Sequence, residues 1–599
     1  NRLLMSTDKV LEAAEIKWID QRPYSPLYGD IYYDGNGVKE FYSVHWDPIC
    51  LKKNVRTSNH FTIVELGFGS GLNFLLAAQE ITKDPDLYLH YIGIESRPIS
   101  DKDWSIFDSQ RHDLKYASEF RASNIPRLGG WHRRIFDAGR VRLSLFHGDV
   151  AQGLADINSN QHARIDAWFL DGFAPSKNPE MWSESVFDLI SQNSFYGTTV
   201  TSFTSAGSVR KKLEDAGFSI KKIEHLNYKR HSIFGDYRKK KQISHQTPRE
   251  VSIAGAGIAG CSIARLVAEQ NIRVKVFDPS GIATKASKAK TAIGHVRLLG
   301  DGSGSADFRS RALYFSQQFL NNISCSETRE AIQPAFNEKE LNRILLVASA
   351  YHDSKASRNL LHFLDNKRTK MEFGIECLGA LYFPDTPLVN IAESCRLLAD
   401  HPGIEIIKRE APNEVDFVAC ASASKRFTST EELEIGEIAG QLDSIGIPDT
   451  SPLKKDTLVH GSGYVIQSNS EWVIGSTYEQ KPWSSAAASE FNIEKNRKFL
   501  GDSPVHSRGN FRAHRCVSSD RDPVIGELNK GQYFSTAHGS MGTISSPFAA
   551  ELVVSQFLGL LPPLSKSGIE TVAPTRFRNR QKKRGVKRIG RSSYTEVIL

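Results

Sequence analysis

Phe61-Thr62-Ile63-Val64-Glu65-Leu66-Gly67-Phe68-Gly69-Ser70-Gly71 is the stretch on which the fold of the N-terminal half of this 599-residue chain turns. A β-branched run ends in an acid, three glycines follow at alternate positions, and a helical pattern opens near Leu72. A strand that passes through a glycine turn into a helix begins a βαβ unit, and the missing Cβ atoms let the backbone come within contact distance of a ligand. The other reading is a tight turn with no ligand, although glycines this dense weaken packing and need a local reason.

Working outward, short apolar runs recur at Tyr88–Glu95 (YLHYIGIE), Val141–Asp149 (VRLSLFHGD), Ile165–Asp171 (IDAWFLD) and Thr198–Thr204 (TTVTSFT), separated by helical stretches. That alternation predicts an α/β domain with a mostly parallel sheet and crossover helices. Acids stand at the carboxyl ends of these strands, where open parallel sheets bind ligands. Glu95 is placed to meet ribose hydroxyls, Asp149 to accept from an adenine amino group, and Asp171 closes the fourth strand. Glu95 alone reads better as an exposed strand-end acid, but together with the ExGxGxG loop the ligand reading is favoured, and an acid two residues before the first glycine is more typical of a methyltransferase than of a dinucleotide fold. Glu65, Gly67, Phe68, Gly69, Gly71, Asn73, Glu95 and Asp149 are therefore the candidate S-adenosylmethionine-binding set.

A second nucleotide pattern starts at Val251 with VSIAGAGIAG, in which Gly255, Gly257 and Gly260 precede a helix and Asp278 ends the next strand. Glycines for backbone approach, a helix N-terminus for pyrophosphate and an acid for ribose make this a dinucleotide fingerprint with both flanks present. FAD is preferred to NAD because no second GxGxxG supplies a nicotinamide site and a flavin-like closing segment runs from Arg515 to Gly526 and on to His538–Gly542. Strand-like text between them (GALYFP, GYVIQ, EWVIGSTY) predicts an antiparallel substrate domain inserted in the FAD-binding domain. The polar, basic stretch Lys229–Arg249 marks the boundary. The expected domains are 1–243, with 1–60 as a β-rich cap around turns at Asp34-Gly35-Asn36-Gly37, and 250–599, ending in a basic tail.

Composition bounds the function. Apolar content of 40% and charged content of 24% suit a folded soluble chain, and no apolar run approaches the roughly 20 residues needed to cross a bilayer. The first residues lack the apolar core of a secretory signal. Seven scattered cysteines without a CxxC pair predict reduced thiols in a cytoplasmic protein and neither a disulfide framework nor a zinc site. The eighteen histidines show no metal-ligand spacing, so no metal is expected, and His295, His514 and His538 read as structural. Trp131, Trp168 and Trp182 read as core. Of the net charge of +8, the run Arg576–Arg591 holds nine Lys/Arg and no acid, and a second cluster sits at Arg238–Lys241. Such runs suit a phosphate backbone, or else form a solvated terminus and a linker.

Leu170–Trp182 (LDGFAPSKNPEMW) together with Glu65–Leu75 (ELGFGSGLNFL) resembles the MnmC family of bifunctional tRNA 5-methylaminomethyl-2-thiouridine biosynthesis proteins. Pro23–Tyr33, Glu40 and Ala216-Gly217-Phe218 fit the same pattern, and the basic segment that follows in the family is partly kept as Leu226–His231 (LNYKRH). The resemblance implies a class I methyltransferase domain fused to a glycine-oxidase-like FAD domain. The FAD half would remove the carboxymethyl group of 5-carboxymethylaminomethyl-2-thiouridine as glyoxylate, and the methyltransferase half would methylate the freed amine of the tRNA wobble uridine. An alkylammonium must lose a proton before it can attack, and Asp171 is the candidate acceptor; the other reading has it orient the amine or the methionine group. Phe173 beside it could meet a flipped-out uridine. In the second half the resemblance gives Arg515 to a substrate carboxylate, against a plain salt-bridged arginine, and brings Ser287, Gly526, Gly539 and Gly542 to the flavin. The family's Arg-Gly-Gln element stands here as Ala439-Gly440-Gln441. A monomer is expected. Two other readings stay open: an active methyltransferase whose weakened flavin domain docks RNA, and a small-molecule amine oxidase fused to a methyltransferase.

Overall fold

The computed structural model describes residues 10–583 apart from 21, 34–36, 51–58, 160–162, 226–230, 240–246, 324–325, 353–359, 413–416, 421–431 and 503. A small antiparallel sheet leads, with β1 (Lys17–Ile19), β2 (Arg22–Ser25) and β3 (Asp30–Ile31). An eight-stranded sheet follows, built from β4 (His60–Leu66), β5 (Tyr88–Glu95), β6 (Gly130–Phe136), β7 (Val141–His147), β8 (Ala167–Leu170), β9 (Thr199–Ser202), β10 (Phe218–Glu224) and β11 (His231–Tyr237). Its order is β10-β11-β9-β8-β4-β5-β7-β6. The strands β7, β5, β4, β8 and β9 are mutually parallel, and β6, β10 and β11 run against their neighbours. Both faces of β5 and β7 are buried: every side chain of β7 and all of β5 but Glu95 is buried, even where polar and apolar residues alternate as in Val141-Arg142-Leu143-Ser144. Because β4 has β5 on one side and β8 on the other, the chain reverses direction of winding there, and a crevice opens beyond the carboxyl ends of those strands.

Two sequence expectations are corrected in this half. The cap is β-structured only to Ile31; Gly37–Cys50 is helical, and Phe41–Trp46 within it is a π-helix. Phe41, Val44, His45 and Ile49 are buried, a spacing of three to four that belongs to a helix and that the aromatic, turn-rich composition masked. Residues 34–36 of the expected turn lie outside the described residues. The stretch read as a linker from Lys229 holds β11, which pairs with both β9 and β10 and buries most of its side chains. The connection is therefore confined between Tyr237 and Glu250, and the family's basic segment at 226–230 and the second half of the Arg238–Lys241 cluster, residues 240–241, fall outside the described residues.

In the second half, the strand Glu250–Ala254 lies between the parallel strands Arg273–Phe277 and Phe417–Cys420. Ile404–Ile407 extends this sheet on one side, and Gln532–Thr536 with the edge strand Val524–Asn529 extends it on the other. A nine-stranded, largely antiparallel sheet is built on long strands such as Gly379–Val389, Ile435–Ile445 and Ser507–Ser518, which supply one wall of the substrate region.

The two halves share a buried polar seam. Arg142 Nε on β7 donates to Glu551 Oε1 at 3.1 Å, and Arg133 Nε on β6 lies 3.4 Å from the same oxygen; all three side chains are almost fully buried. Arg133 also donates to the Leu561 carbonyl at 2.5 Å, and Leu561 packs into the core of the first half. Removing one member of such a cluster leaves buried charge uncompensated, which costs about 3–5 kcal/mol. Glu551→Gln is accordingly expected to lower the urea midpoint by an amount equivalent to about 3 kcal/mol, followed by circular dichroism.

The basic tail is also corrected. In the helix Thr575–Lys583, Arg576 pairs with Asp520 at 3.0 Å, Arg578 with Glu432, and Arg580 with Glu434, while Phe577 is fully buried. Acids contributed by distant segments neutralise these arginines, a pairing invisible in local sequence. Residues 584–599 lie outside the described residues.

Candidate active sites

A cavity of about 380 Å³ opens over the carboxyl ends of β4, β5 and β8, with Gly67, Gly69, Glu95, Asp149 and Asp171 on its wall. Gly67 has φ 89°, and a Cβ there would stand 2.8 Å from Gly172 Cα, so the turn tolerates no side chain. Gly69 N donates to Glu95 Oε2 at 2.9 Å and Arg97 N to Oε1 at 2.9 Å, which fixes the carboxylate in the cavity wall; burial raises its pKa. Asp149 is exposed, and its Oδ1 accepts from the amides of Ala151 and Gln152 at the start of the helix Val150–Ser159. Phe68 contributes differently from the expectation: its ring turns into the core against Phe74, Tyr91 and Phe120. Gly71 packs on that ring, where a Cβ would meet it at 2.9 Å.

Beneath the cavity lies a connected polar network. Asn73 Nδ2 donates to Glu65 Oε1 at 2.6 Å and to Asp171 Oδ2 at 2.7 Å, and Tyr91 Oη donates to Glu65 Oε2 at 2.8 Å. Burial, and then the charge of Asp171, push the Glu65 carboxyl well above the usual range. Glu65 and Asn73 thus brace Asp171 from below rather than line the cavity. The sequence reading missed His45, whose Nε2 lies 3.6 Å from Asp171 Oδ1; only the helical burial spacing of the cap could have pointed to it. At the rim, Phe173 is stacked on Tyr28 at 4.5 Å and edge-on to Tyr32 at 5.1 Å, forming an aromatic wall.

The second cavity, of about 460 Å³, lies between the nucleotide sheet and the antiparallel sheet. Ser287, Arg515, Gly539 and Gly542 line it. The glycine turn reaches it through Ile258 and Ser287, whose Oγ accepts from Ile258 N at 3.1 Å and would meet a Cβ on Gly257 at 2.9 Å. A Cβ on Gly260 would lie 1.9 Å from Gly255 O, so helix and strand can approach only through glycine. Asp278 Oδ2 accepts from Ala256 N at 3.1 Å, holding the acid at the mouth of the turn. Gly526 stands apart: it lies in the edge strand Val524–Asn529 with φ 110°, facing Gln556. Arg515 Nη1 donates to the Thr477 carbonyl at 3.0 Å, and its guanidinium lies 5.4 Å from the Tyr478 ring centre. Burial lowers its pKa and likewise that of Lys495, a second cation on this wall that the sequence reading missed. Gly440 makes room for the guanidinium: a Cβ there would fall 1.8 Å from Nη1. His538 is structural, buried and bonded to Ser535 and Ser545, with burial lowering its pKa to about 4. His295 is stacked on His460 at 4.6 Å in the cavity wall. Trp131, Trp168 and Trp182 are core residues. Among the described residues no group of three or more His, Cys, Asp or Glu could hold a metal ion, and no helix is long and apolar enough to cross a membrane.

The model of the FAD dependent oxidoreductases matches residues 250–556, more than half of the chain. The chain belongs to the FAD dependent oxidoreductase family. Ahead of this oxidoreductase region, residues 113–238 match the S-adenosyl-L-methionine-dependent methyltransferase model, so the chain joins a methyltransferase domain to an oxidoreductase domain. Along almost its whole length it is similar to tRNA 5-methylaminomethyl-2-thiouridine biosynthesis bifunctional proteins MnmC. The one from Ectopseudomonas mendocina is 29% identical over 96% of this chain and 98% of its own. The one from Methylobacillus flagellatus is 29% identical over 96% and 97%. Among solved structures, glycine oxidase from Geobacillus kaustophilus covers 52% of this chain and 95% of its own, with 15% identity and a TM-score of 0.44.

Proposed function

We propose that this member of the FAD dependent oxidoreductase family is a cytoplasmic, monomeric, bifunctional tRNA-modifying enzyme. The carrying observation is that one chain spans nearly the full length of the MnmC relatives and holds two cavities, each at the ligand-binding end of its own nucleotide-binding sheet. The oxidoreductase half removes the carboxymethyl group of 5-carboxymethylaminomethyl-2-thiouridine, and the methyltransferase half converts the resulting amine to 5-methylaminomethyl-2-thiouridine. The residues fit their small molecules. Glu95 keeps acceptor lone pairs for the ribose of S-adenosylmethionine, and the glycine loop leaves the backbone bare beside it. Asp278, the Gly255–Gly260 turn, Ser287, Gly539 and Gly542 would hold FAD, which when bound supplies the two-electron oxidation of the carbon–nitrogen bond. Arg515 holds the substrate carboxylate, with Lys495 adding positive charge to the same wall. Asp171 faces the amine and takes its proton. We place the domain boundary between Tyr237 and Glu250.

Mass spectrometry of wobble nucleosides, after incubation of undermodified tRNA with the protein and S-adenosylmethionine, tests the proposal. Appearance of 5-methylaminomethyl-2-thiouridine from the carboxymethylated form is expected, and its absence with a flavin-loaded protein overturns it. Flavin absorbance separates an active oxidase half from one used for docking alone. Removing residues 584–599, which spares the paired arginines at 576, 578 and 580, is expected to weaken tRNA binding and flatten its salt dependence. An unchanged salt slope would favour a small-molecule amine oxidase.

A further inference from the structure

His45 is fully buried, with 0% of its surface exposed, and its ring lies against Phe169 with centroids 4.7 Å apart. It belongs to the π-helix Phe41–Trp46, an irregularity that recurs at functional sites. His45 Nδ1 is 2.8 Å from Thr201 Oγ1, and Thr201 Oγ1 donates to the Trp168 carbonyl at 3.3 Å. A hydroxyl has one proton to give; with that proton on the Trp168 carbonyl, Thr201 accepts from His45, which places the ring hydrogen on Nδ1. Nε2 then carries a lone pair, has no hydrogen-bond partner, and faces Asp171 Oδ1 at 3.6 Å. The other carboxylate oxygen is held by Asn73. The buried imidazole nitrogen thus faces a carboxylate oxygen of the cavity wall across a gap that a single proton would close.

We propose that His45 is a positioning residue for methyl transfer, forming with Asp171 a two-site proton acceptor. This inference rests on the reading of Asp171 as the group that faces the substrate amine. The alkylammonium gives one proton to Asp171. The lone pair so freed forms the bond from nitrogen to the methyl carbon, the carbon–sulfur bond breaks with its pair going to sulfur, and the product leaves as a secondary ammonium. The released proton rests between Asp171 Oδ1 and His45 Nε2, where imidazolium and carboxylate balance each other, and so is not returned to the amine. The elements packed against the π-helix carry Lys39, Glu40, Asp47 and Glu80 as titratable groups, of which Glu80 accepts from Tyr42 Oη; Glu65 lies behind Asn73.

The test is kcat for methyl transfer to tRNA bearing the aminomethyl wobble uridine, measured against pH with the full-length wild type, His45→Asn, His45→Gln and Thr201→Val. Both His45 variants are expected to lose about 10- to 100-fold in kcat near pH 8, with KM for S-adenosylmethionine unchanged. That deficit should shrink as the pH falls, because a second acceptor that already carries a proton can no longer take one from the amine. Thr201→Val should shift the profile in the same direction by a smaller factor. A deficit constant across pH, or one accompanied by a raised KM for S-adenosylmethionine, marks a packing role and overturns the inference, as does wild-type turnover in either His45 variant. Asp171→Asn separates the two readings: full turnover in that variant removes the role of Asp171 itself, whereas its loss beside a wild-type His45→Asn profile removes His45 alone.

Discussion

Asp171→Ala is expected to lower methyl transfer by about 100- to 10,000-fold while leaving flavin-dependent oxidation of the carboxymethylated nucleoside unchanged. The size follows from the chemistry: the substrate amine is an ammonium at neutral pH, and a positioned base contributes about that much to a proton transfer on the reaction path. The selectivity follows from placement, since Asp171 stands beyond β8 on the first cavity and touches nothing of the second. Nucleosides digested from tRNA after reaction with this variant should accumulate the 5-aminomethyl form. Continued appearance of the methylated nucleoside would show that Asp171 only orients its neighbours.

Arg515→Met is expected to act on the other half, lowering kcat/KM for removal of the carboxymethyl group by about 100-fold or more, in keeping with the loss of a charge-assisted, two-pronged contact to a carboxylate. Flavin content should stay at the wild-type level, because the guanidinium donates to the Thr477 carbonyl and not to the glycine turn. Gly440→Ala should approach the same phenotype without removing any charge. The added methyl would fall 1.8 Å from Arg515 Nη1 and so must displace the guanidinium. If oxidation persists in Arg515→Met, the carboxylate contact is not made by this residue, and Lys495 becomes the cation to vary next.

The glycines and acids most legible in the sequence share one property: each belongs to a local strand-turn-helix pattern. Gly67 and Gly69, Glu95, the Gly255–Gly260 turn and Asp278 announce themselves because strand, glycines and acid are neighbours in the chain. Gly440 and Lys495 could not be found that way, since each matters through proximity to Arg515 on the strand Ser507–Ser518, to which no local motif ties them. His45 was hidden for a second reason. The aromatic text around it suggested strands, and only the three-dimensional burial of Phe41, Val44 and Ile49 reveals the helical register that turns it toward Asp171. The basic tail shows the converse limit, because charge density along the chain says nothing of the acids that fold against it. Asp520, Glu432 and Glu434 neutralise arginines that composition alone would have left to solvent. Gly526 was misplaced by a motif whose later glycines do reach the cavity.

The seam between Arg133, Arg142 and Glu551 bears on why these two enzymes occupy one chain. A polypeptide severed between Tyr237 and Glu250 would, on coming apart, separate both guanidiniums from their shared carboxylate and strip Leu561 from the core it fills. Neither fragment could solvate its side of that contact without rebuilding it, so the halves are cut to each other like lock and key rather than strung together like beads. Their union is written into the interior of the protein as much as into its covalent backbone.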